Sequence, residues 1–487
     1  MMLIFERSRP GRRGTSVPAG DVPQTPIEQI LPTDALRDAP PALPEVPEHE
    51  VVRHYTAISL KNHHVDRAFY PLGSCTMKYN PKVNEMTARL AGLGDLHPLV
   101  PTSAAQGALQ LLWELGEMLT EIAGMDAVSL QPAAGAQGEL TGVFLFRAYH
   151  TARGDPRRKV IIPDSAHGTN PATVAMAGYE VVTLKSNVEG RMDPAALEAV
   201  LGDDVAGVML TNPNTLGKFE SDIETIARLV HEAGGLMYMD GANLNALMGI
   251  TRPGDLGYDI VHFNLHKTFS SPHGGGGPGA GPVAVRAALA PFLPIPVVTR
   301  NDEDGTFAFD WDRPQSIGKV HGFWGNFGVH VRAYTYLRML GREGVPETAR
   351  AAVLNNAYVS ARMPEAYRLP YGRGLHESVF SGASLKQKYG VRTLDVAKRL
   401  LDFGMHPPTI YFPLIVSEAI MAEPTETETK EELDRFCDAM LRIAEEAARD
   451  PEFVKNAPYD TPIRRLDEAR ANRRPDVRYR GAGNADV

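Results

Sequence analysis

Lys267 stands alone between a short apolar run and a glycine-rich turn, and its position makes it the first candidate for chemistry. The run before it, Tyr258-Asp259-Ile260-Val261-His262-Phe263, has the length and β-branched content of a buried strand. Gly274, Gly275, Gly276 and Gly277 follow closely. Lys267 is therefore expected at the carboxyl end of a strand, the edge at which open α/β sheets bind their ligands. A lysine there can form a Schiff base with an aldehyde cofactor. It can equally be an ordinary solvated lysine, so the residues at the other strand ends carry the decision.

Four more groups are expected at the same edge. After the run 127–130 comes a small-residue turn containing Ala134, Gly135, Ala136 and Gln137, which opens a helix. Free backbone N–H groups and the helix dipole can hold a phosphate there. After 160–162 comes His167, an imidazole on which a planar ring can stack, or which can simply bond its own loop. After 205–210 comes a loop with Asn212 and Thr215, whose amide and hydroxyl can orient a phenolic oxygen or a phosphate. Asn-Pro is also common turn punctuation.

After 236–239 comes Asp240-Gly241-Ala242-Asn243, which puts a carboxylate beside the Lys267 strand. A carboxylate against a pyridine nitrogen keeps that nitrogen protonated, and a protonated ring accepts electrons from an adjacent carbanion. Jointly these are the parts of a pyridoxal phosphate site. Lys267 is the catalytic candidate. Ala134, Gly135, Ala136, Gln137, His167, Asn212, Thr215, Asp240, Ala242 and His266 are the cofactor-binding candidates around it.

The elements that must position these groups alternate along the chain. Apolar runs at 127–130, 160–162, 181–184, 205–210, 236–239, 260–263 and 282–285 are mostly separated by amphipathic stretches such as 194–201 and 223–233. That alternation predicts an α/β fold with a mostly parallel sheet and helices on both faces. A helix is predicted from Thr102, with Leu111, Leu115, Met118, Leu119 and Ile122 on one face and Gly124 as terminator. A further helical region, 327–363, bridges to a smaller C-terminal domain. The expected organisation is an extended, proline-rich N-terminal arm and leading segment at 1–95, a large cofactor-binding domain at 96–345 and a small α+β domain at 346–487.

Composition narrows the function classes. With 487 residues, 43% hydrophobic and 22% charged, the chain is long enough for two or three domains with a large core. A net charge of −9 argues against nucleic acid as a partner. Cys75 and Cys437 form no paired motif, so neither a disulfide framework nor a cysteine zinc site is expected, and a reducing cytoplasm fits. No secretory signal is read at the N-terminus, and no apolar stretch approaches the ~20 residues of a membrane span, so no membrane partner is expected. His262, His266 and His273 suggest a metal hydrolase only if they fall on a helix, and their pattern reads as strand and turn, so no metal is expected.

Several long strings also carry a family resemblance. Tyr70-Pro71-Leu72-Gly73-Ser74-Cys75-Thr76-Met77-Lys78-Tyr79-Asn80-Pro81, the loop 212–217, Asp240-Gly241-Ala242-Asn243, His266-Lys267, Gly325-Asn326-Phe327-Gly328 and Glu423-Pro424-Thr425-Glu426-Thr427-Glu428 resemble the P-protein of the glycine cleavage system. Ser271, where threonine is expected, and the loosely matching segment 375–379 depart from the pattern. The length resembles the second subunit of the split type. The resemblance implies a fold-type-I pyridoxal-phosphate-dependent transferase-like fold, with Lys267 carrying the cofactor, His167 stacked on its ring and Asp240 at its nitrogen. It implies decarboxylation of glycine and transfer of the aminomethyl group to the lipoyl arm of the H-protein. The implied partners are that lipoylated carrier and a first P-protein subunit, in a heterotetramer of two of each. The rival readings are an aminotransferase or other amino-acid decarboxylase, and a non-catalytic assembly subunit.

Phe323, Trp324 and Tyr334 are candidates to narrow the site, and Arg332, Arg373 and Arg392 to hold a substrate carboxylate. The glycine run 274–277 is expected to leave room beside Lys267 for backbone turns or a long arm.

Overall fold

The computed structural model describes residues 2–14, 16, 18–39, 41–274 and 279–477. It divides into two compact units, Met1–His64 and Val65–Val487. The first is proline-rich and mostly irregular, as its composition predicts, but it also holds a helix at Glu48–Ser59. Pro47 is the N-cap of that helix, in extended conformation, where its missing N–H removes no bond within the helix.

The second unit is built on a seven-stranded sheet: β1 (Ala127–Ser129), β2 (Lys159–Pro163), β3 (Glu180–Leu184), β4 (Val205–Thr211), β5 (Leu236–Gly241), β6 (Ile260–Phe263) and β7 (Val283–Val285). The spatial order is β1-β7-β6-β5-β4-β2-β3. Strands β2 to β6 run parallel, while β7 is antiparallel to both β6 and β1. All seven sequence-predicted runs are strands. Val205 to Leu210 and all of β5 and β6 are buried, as expected for strands covered on both faces.

The covering helices form where apolar spacing requires. Gln106–Ala123 buries Leu109, Leu112, Leu115, Leu119 and Ala123, and ends at Gly124, whose φ of 66° is the left-handed cap that glycine adopts without strain. Ile223–Glu232 buries Ile223, Ile226, Ala227 and Val230. Each fully buried leucine or isoleucine contributes roughly 1.5–3 kcal/mol relative to exposure. The long helical region Phe327–Arg362 is two helices meeting at Gly341, where φ is 63° and ψ −172°.

The helix Gly135–Ala152 packs tightly on the sheet. A Cβ at Gly142 would sit 2.1 Å from Cε2 of Tyr238 on β5, and one at Gly138 would sit 2.8 Å from the Gly281 carbonyl. Those two glycines let the helix press onto β5 and β6, so that its first turn reaches the sheet's carboxyl edge.

Two further sheets follow. A hairpin pairs β8 (Val297–Arg300) with β9 (Phe307–Asp310). An antiparallel sheet orders β10 (Ser378–Ser381), β12 (Ala419–Ala422) and β11 (Thr409–Ile410). The helices Thr393–Asp402 and Lys430–Arg449 share a core with this sheet through Val396, Leu400, Phe436, Met440, Phe380 and Ile420. Among the described residues no helix is long and apolar enough to cross a membrane.

The signature segment at 70–81 runs beside β12. Leu72 bridges Ala422, the Gly73 N–H donates to the Met421 carbonyl at 3.2 Å, and the Glu423 N–H donates to the Pro71 carbonyl at 3.3 Å. Lys78 is its buried anchor. The ammonium donates to the Thr268 carbonyl at 2.6 Å, to Glu426 Oε1 at 2.7 Å and to the Tyr336 hydroxyl at 3.2 Å.

Candidate active site

The carboxyl edge of the sheet opens into a cavity of about 280 Å3. Its walls include Ala134, Gly135, Ala136, His167, Thr215, Asp240, Ala242, His266 and Lys267. Gln137 and Asn212 do not line it. The Gln137 side chain turns back instead, accepting from the Ala133 N–H at 2.6 Å and donating to the Val320 carbonyl. Asn212 is buried at the end of β4, where its carbonyl oxygen accepts from the Glu220 N–H at 3.1 Å. Gln137 thus ties its turn to the segment at Val320, and Asn212 serves its own loop, alternatives that strand-end position alone does not reveal.

Lys267 follows a turn closed by its own N–H donating to the Asn264 carbonyl at 3.0 Å, and its Nζ donates to the Ser74 carbonyl at 2.9 Å. Asp240 leaves β5 beside it and is buried. Its Oδ2 accepts from Asn170 Nδ2 at 3.0 Å, its Oδ1 accepts from the Ala242 N–H at 3.0 Å, and His262 Nε2 stands 3.4 Å from Oδ1. Burial alone would raise the Asp240 pKa, but His262, the two hydrogen bonds and the Lys267 charge outweigh it and hold the carboxyl below its ordinary range. Asp240 is thus an ionised carboxylate on the cavity floor.

A set of uncharged imidazoles surrounds the lysine. Burial, then the neighbouring His273 and Lys267, pushes His266 down to about 3; burial and Lys267 push His273 to about 4 and His376 to about 3. At neutral pH these rings add no positive charge beside Lys267. His262, His266 and His273 do not converge as a ligand set; among the described residues the one group with metal-like spacing is Glu139, Asp240 and His262.

The residues suit the phosphate-bearing aldehyde expected from the sequence. Ala134, at the start of the helix Gly135–Ala152, gives it no side-chain cap, and first-turn N–H groups have no partner within a helix. Thr211 Oγ1, Asn264 Oδ1 and His266 Nδ1 belong to wall residues and are buried without a hydrogen-bond partner, so the walls offer polar atoms for a polar occupant. The Thr215 hydroxyl is already donated to the Ser165 carbonyl.

Other wall residues lie outside the sequence-predicted set. Glu139, Thr169, Asn243, Asn264, His376 and Glu377 line the cavity, with Asn170 behind it. Thr169 and Asn170 sit in the loop and helix start that follow His167, so the strand-end rule pointed to their neighbourhood. His376 and Glu377 come from just before β10, in the segment that matches the family pattern only loosely, and no strand-end signal marks them. Glu377 accepts from the Ser74 N–H at 2.7 Å; burial, then the charge of Glu423, raises its pKa well above the ordinary carboxylate range.

The arginine and aromatic candidates lie elsewhere. Arg332 pairs with Glu85 at 2.7 Å, and neither it nor Arg373 nor Arg392 lines the cavity. Phe323 and Trp324 line a separate, largely apolar cavity of about 380 Å3 with Leu93, His97 and Phe327. Tyr334 donates its hydroxyl to Glu114. In the glycine run, Gly275, Gly276 and Gly277 fall outside the described residues.

Comparison with known proteins places this geometry in a lineage. The family model described as glycine cleavage system P-protein matches residues 24–311, and a model for the glycine dehydrogenase C-terminal domain matches residues 348–461. The probable glycine dehydrogenase (decarboxylating) subunit 2 of Prosthecochloris aestuarii is 57% identical, with 98% of each chain covered. The protein of the same description from Bacillus velezensis is also 57% identical, covering 98% of this chain and 97% of its own. A crystal structure of a glycine decarboxylase (P-protein) in inhibitor-bound form superposes with a TM-score of 0.71 at 23% identity, over 85% of this chain and 94% of that one. The Oryza sativa protein TDC, solved with PLP, shares the fold at a TM-score of 0.64 and 13% identity, over 85% of this chain and 90% of that one. With that model spanning more than half of its length and relatives matched nearly end to end, the chain belongs to the glycine cleavage system P-protein family.

Proposed function

We propose that this chain is the cofactor-bearing subunit of a two-subunit glycine dehydrogenase (decarboxylating), with Lys267 as its catalytic amine. The reaction removes the carboxyl group of glycine as carbon dioxide and transfers the remaining aminomethyl group to the lipoyl disulfide of the H-protein. The cofactor is pyridoxal phosphate. When bound, it supplies an aldehyde that condenses with amines and a ring that accepts the electron pair left as carbon dioxide departs.

The observation that carries the reading is the convergence of Lys267, an ionised Asp240 and an uncapped helix start in one cavity. The N–H groups of Gly135 and Ala136 are assigned to the phosphate, aided by the helix dipole. Asp240, held by Asn170 and Ala242, keeps a negative charge against the ring nitrogen. His167 would lie on the ring face, and Lys267 would supply the amine for the aldehyde. Thr215, Ala242 and His266 complete the walls. Gln137 acts indirectly by fixing the Ala133 N–H, and Asn212 by shaping the loop after β4.

The relatives' designation as subunit 2 supports a separate first subunit, proposed to form a heterotetramer of two of each chain. A cytoplasmic location is proposed from the two unpaired cysteines. The proposed working division is an arm and leading segment at 1–95, a cofactor domain at 96–345 and a small domain at 346–487. Purified chain mixed with pyridoxal phosphate should show a visible band that borohydride fixes covalently, and Lys267→Ala should lose it. An identical covalent adduct in the variant overturns the assignment. Exchange of the glycine carboxyl with labelled bicarbonate, dependent on the first subunit and lipoylated H-protein, separates this activity from that of an aminotransferase.

A further inference from the structure

His167 does not stand alone in the cavity wall. Its Nδ1 lies 2.9 Å from the Thr169 hydroxyl, and that hydroxyl lies 2.7 Å from Oε1 of Glu139. Glu139 is buried, only 4% exposed, and its Oε2 accepts from the Thr173 hydroxyl at 3.2 Å. On its other side are Asp240 from β5 and His262 from β6, with the atoms of the three groups within 4.8 Å of one another. Tyr238, also on β5, bonds His262 Nδ1 at 2.6 Å. A carboxylate, a hydroxyl and an imidazole are thus joined in line from the buried floor to the open cavity.

We propose that Glu139, Thr169 and His167 form a proton relay that carries a proton taken up at His167 Nε2 to Glu139, the buried end of the same cavity wall. The balance follows from the single hydroxyl proton. With Glu139 ionised, Thr169 donates to Oε1, and the line is completed by the tautomer with its hydrogen on Nδ1, set against the Thr169 N–H that approaches Nδ1 at 3.3 Å, which leaves Nε2 as an acceptor. A proton bound at Nε2 lets the Nδ1 hydrogen move to Thr169 Oγ1 as the Thr169 hydrogen moves to Glu139. One proton has entered, Glu139 is neutral, Nδ1 now accepts from the hydroxyl, and the imidazole is uncharged at the start and the end. The His167 ring therefore exchanges one tautomer for the other, turning Nε2 from acceptor to donor.

The surroundings favour this endpoint over an imidazolium. Burial, which outweighs the raising charge of Asp240 and is joined by a smaller push from Lys267, keeps His167 below its usual pKa. Burial, then the negative charge of Asp240, lifts Glu139 to about 7 against the bonds from Thr169, Asn170 and Thr173. Two buried carboxylates this close do not both ionise freely, so Glu139 takes the proton while Asp240 stays charged. Glu139 and Thr169 are positioning residues, acting on the reaction through His167. That role in the reaction rests on the cofactor site proposed above; the relay itself does not.

The test is nitrogen NMR of the full chain labelled with [15N]histidine, in the presence and absence of pyridoxal phosphate, with His167→Gln identifying the signals. In the wild type the His167 tautomer should invert between about pH 8.5 and pH 5.5, the window that brackets the Glu139 value of about 7. Glu139→Gln should abolish the inversion, Thr169→Val should abolish it, and Thr169→Ser, which restores the hydroxyl, should recover it. A tautomer that is constant over this range in the wild type, or an inversion that persists in Glu139→Gln, overturns the relay. Because the relay needs no cofactor, its failure with a normal Lys267-dependent visible band is distinct from failure of that band with the inversion intact.

Discussion

Replacing Lys78 with methionine should destabilise the chain by about 3–5 kcal/mol, the usual cost of removing one partner from a buried ion pair. The Lys78 side chain is 1% exposed and that of Glu426 8%, so the carboxylate left behind cannot be solvated in place. The ammonium also bonds the Thr268 carbonyl, directly after Lys267, and the Tyr336 hydroxyl. Burial alone would lower the Lys78 pKa, yet Glu426 and Tyr336 raise it above the ordinary lysine value, so the ammonium stays charged at physiological pH. Lys78→Met/Glu426→Gln removes both charges and should cost less than the sum of the single variants, by about 1–3 kcal/mol. Urea unfolding of the four chains at neutral pH measures this, and the visible band reports whether the Lys267 turn has moved. A cost below about 1 kcal/mol for Lys78→Met, or strict additivity, would refute the claim that this pair ties the segment 70–81 to the site.

Asp240→Asn should lower kcat of glycine–bicarbonate exchange on the order of 10²-fold or more, since a neutral amide cannot hold a charge against the ring nitrogen; a rate within threefold of wild type would remove Asp240 from that role. Gly142→Ala places a Cβ against the Tyr238 ring, and overpacking of about 1–3 kcal/mol should appear in unfolding, together with weaker cofactor binding as the helix start is pushed off the sheet. Stability should fall on acidification below about pH 6.5. His330 is held near 4 by burial, so between 6.5 and 4 the unfolded chain binds the extra proton and stability decreases as pH falls. His266, His273 and His376 add slope of the same sign, while Glu139 and Glu428, each raised to about 7, and Glu377, raised well above its ordinary value, oppose it. Each such histidine contributes about 1.4 kcal/mol per pH unit, and His330→Gln should remove that much from the slope of unfolding free energy against pH.

Local chemistry alone determined the strands, the terminating Gly124 and the edge at which Lys267, Asp240, His167 and the 134–136 turn emerge. Period and composition report whether a segment is strand or helix and which residue follows it, and strand ends of a parallel sheet necessarily share one edge. The direction of β7 was not legible, because an apolar run has the same composition read either way. Nor were the roles of Arg332 and of Phe323 and Trp324 in the structure: residue type says what a side chain can do, but its nearest partner is set by folding. Arg332 is spent on Glu85, and the two aromatics face another cavity.

The segment 376–377, which brings His376 and Glu377 to the cavity, lies more than 100 residues beyond Lys267 and bears no strand-end mark. Glu139 is the clearest case. In sequence it is one carboxylate on a helix beside a small-residue turn; only when the glycines at 138 and 142 let that helix press on β5 and β6 does it meet Asp240 and Thr169. The identity of the chemical groups was written in the chain, whereas their charge states and couplings arise from burial and from neighbours distant in sequence, which only the tertiary structure supplies.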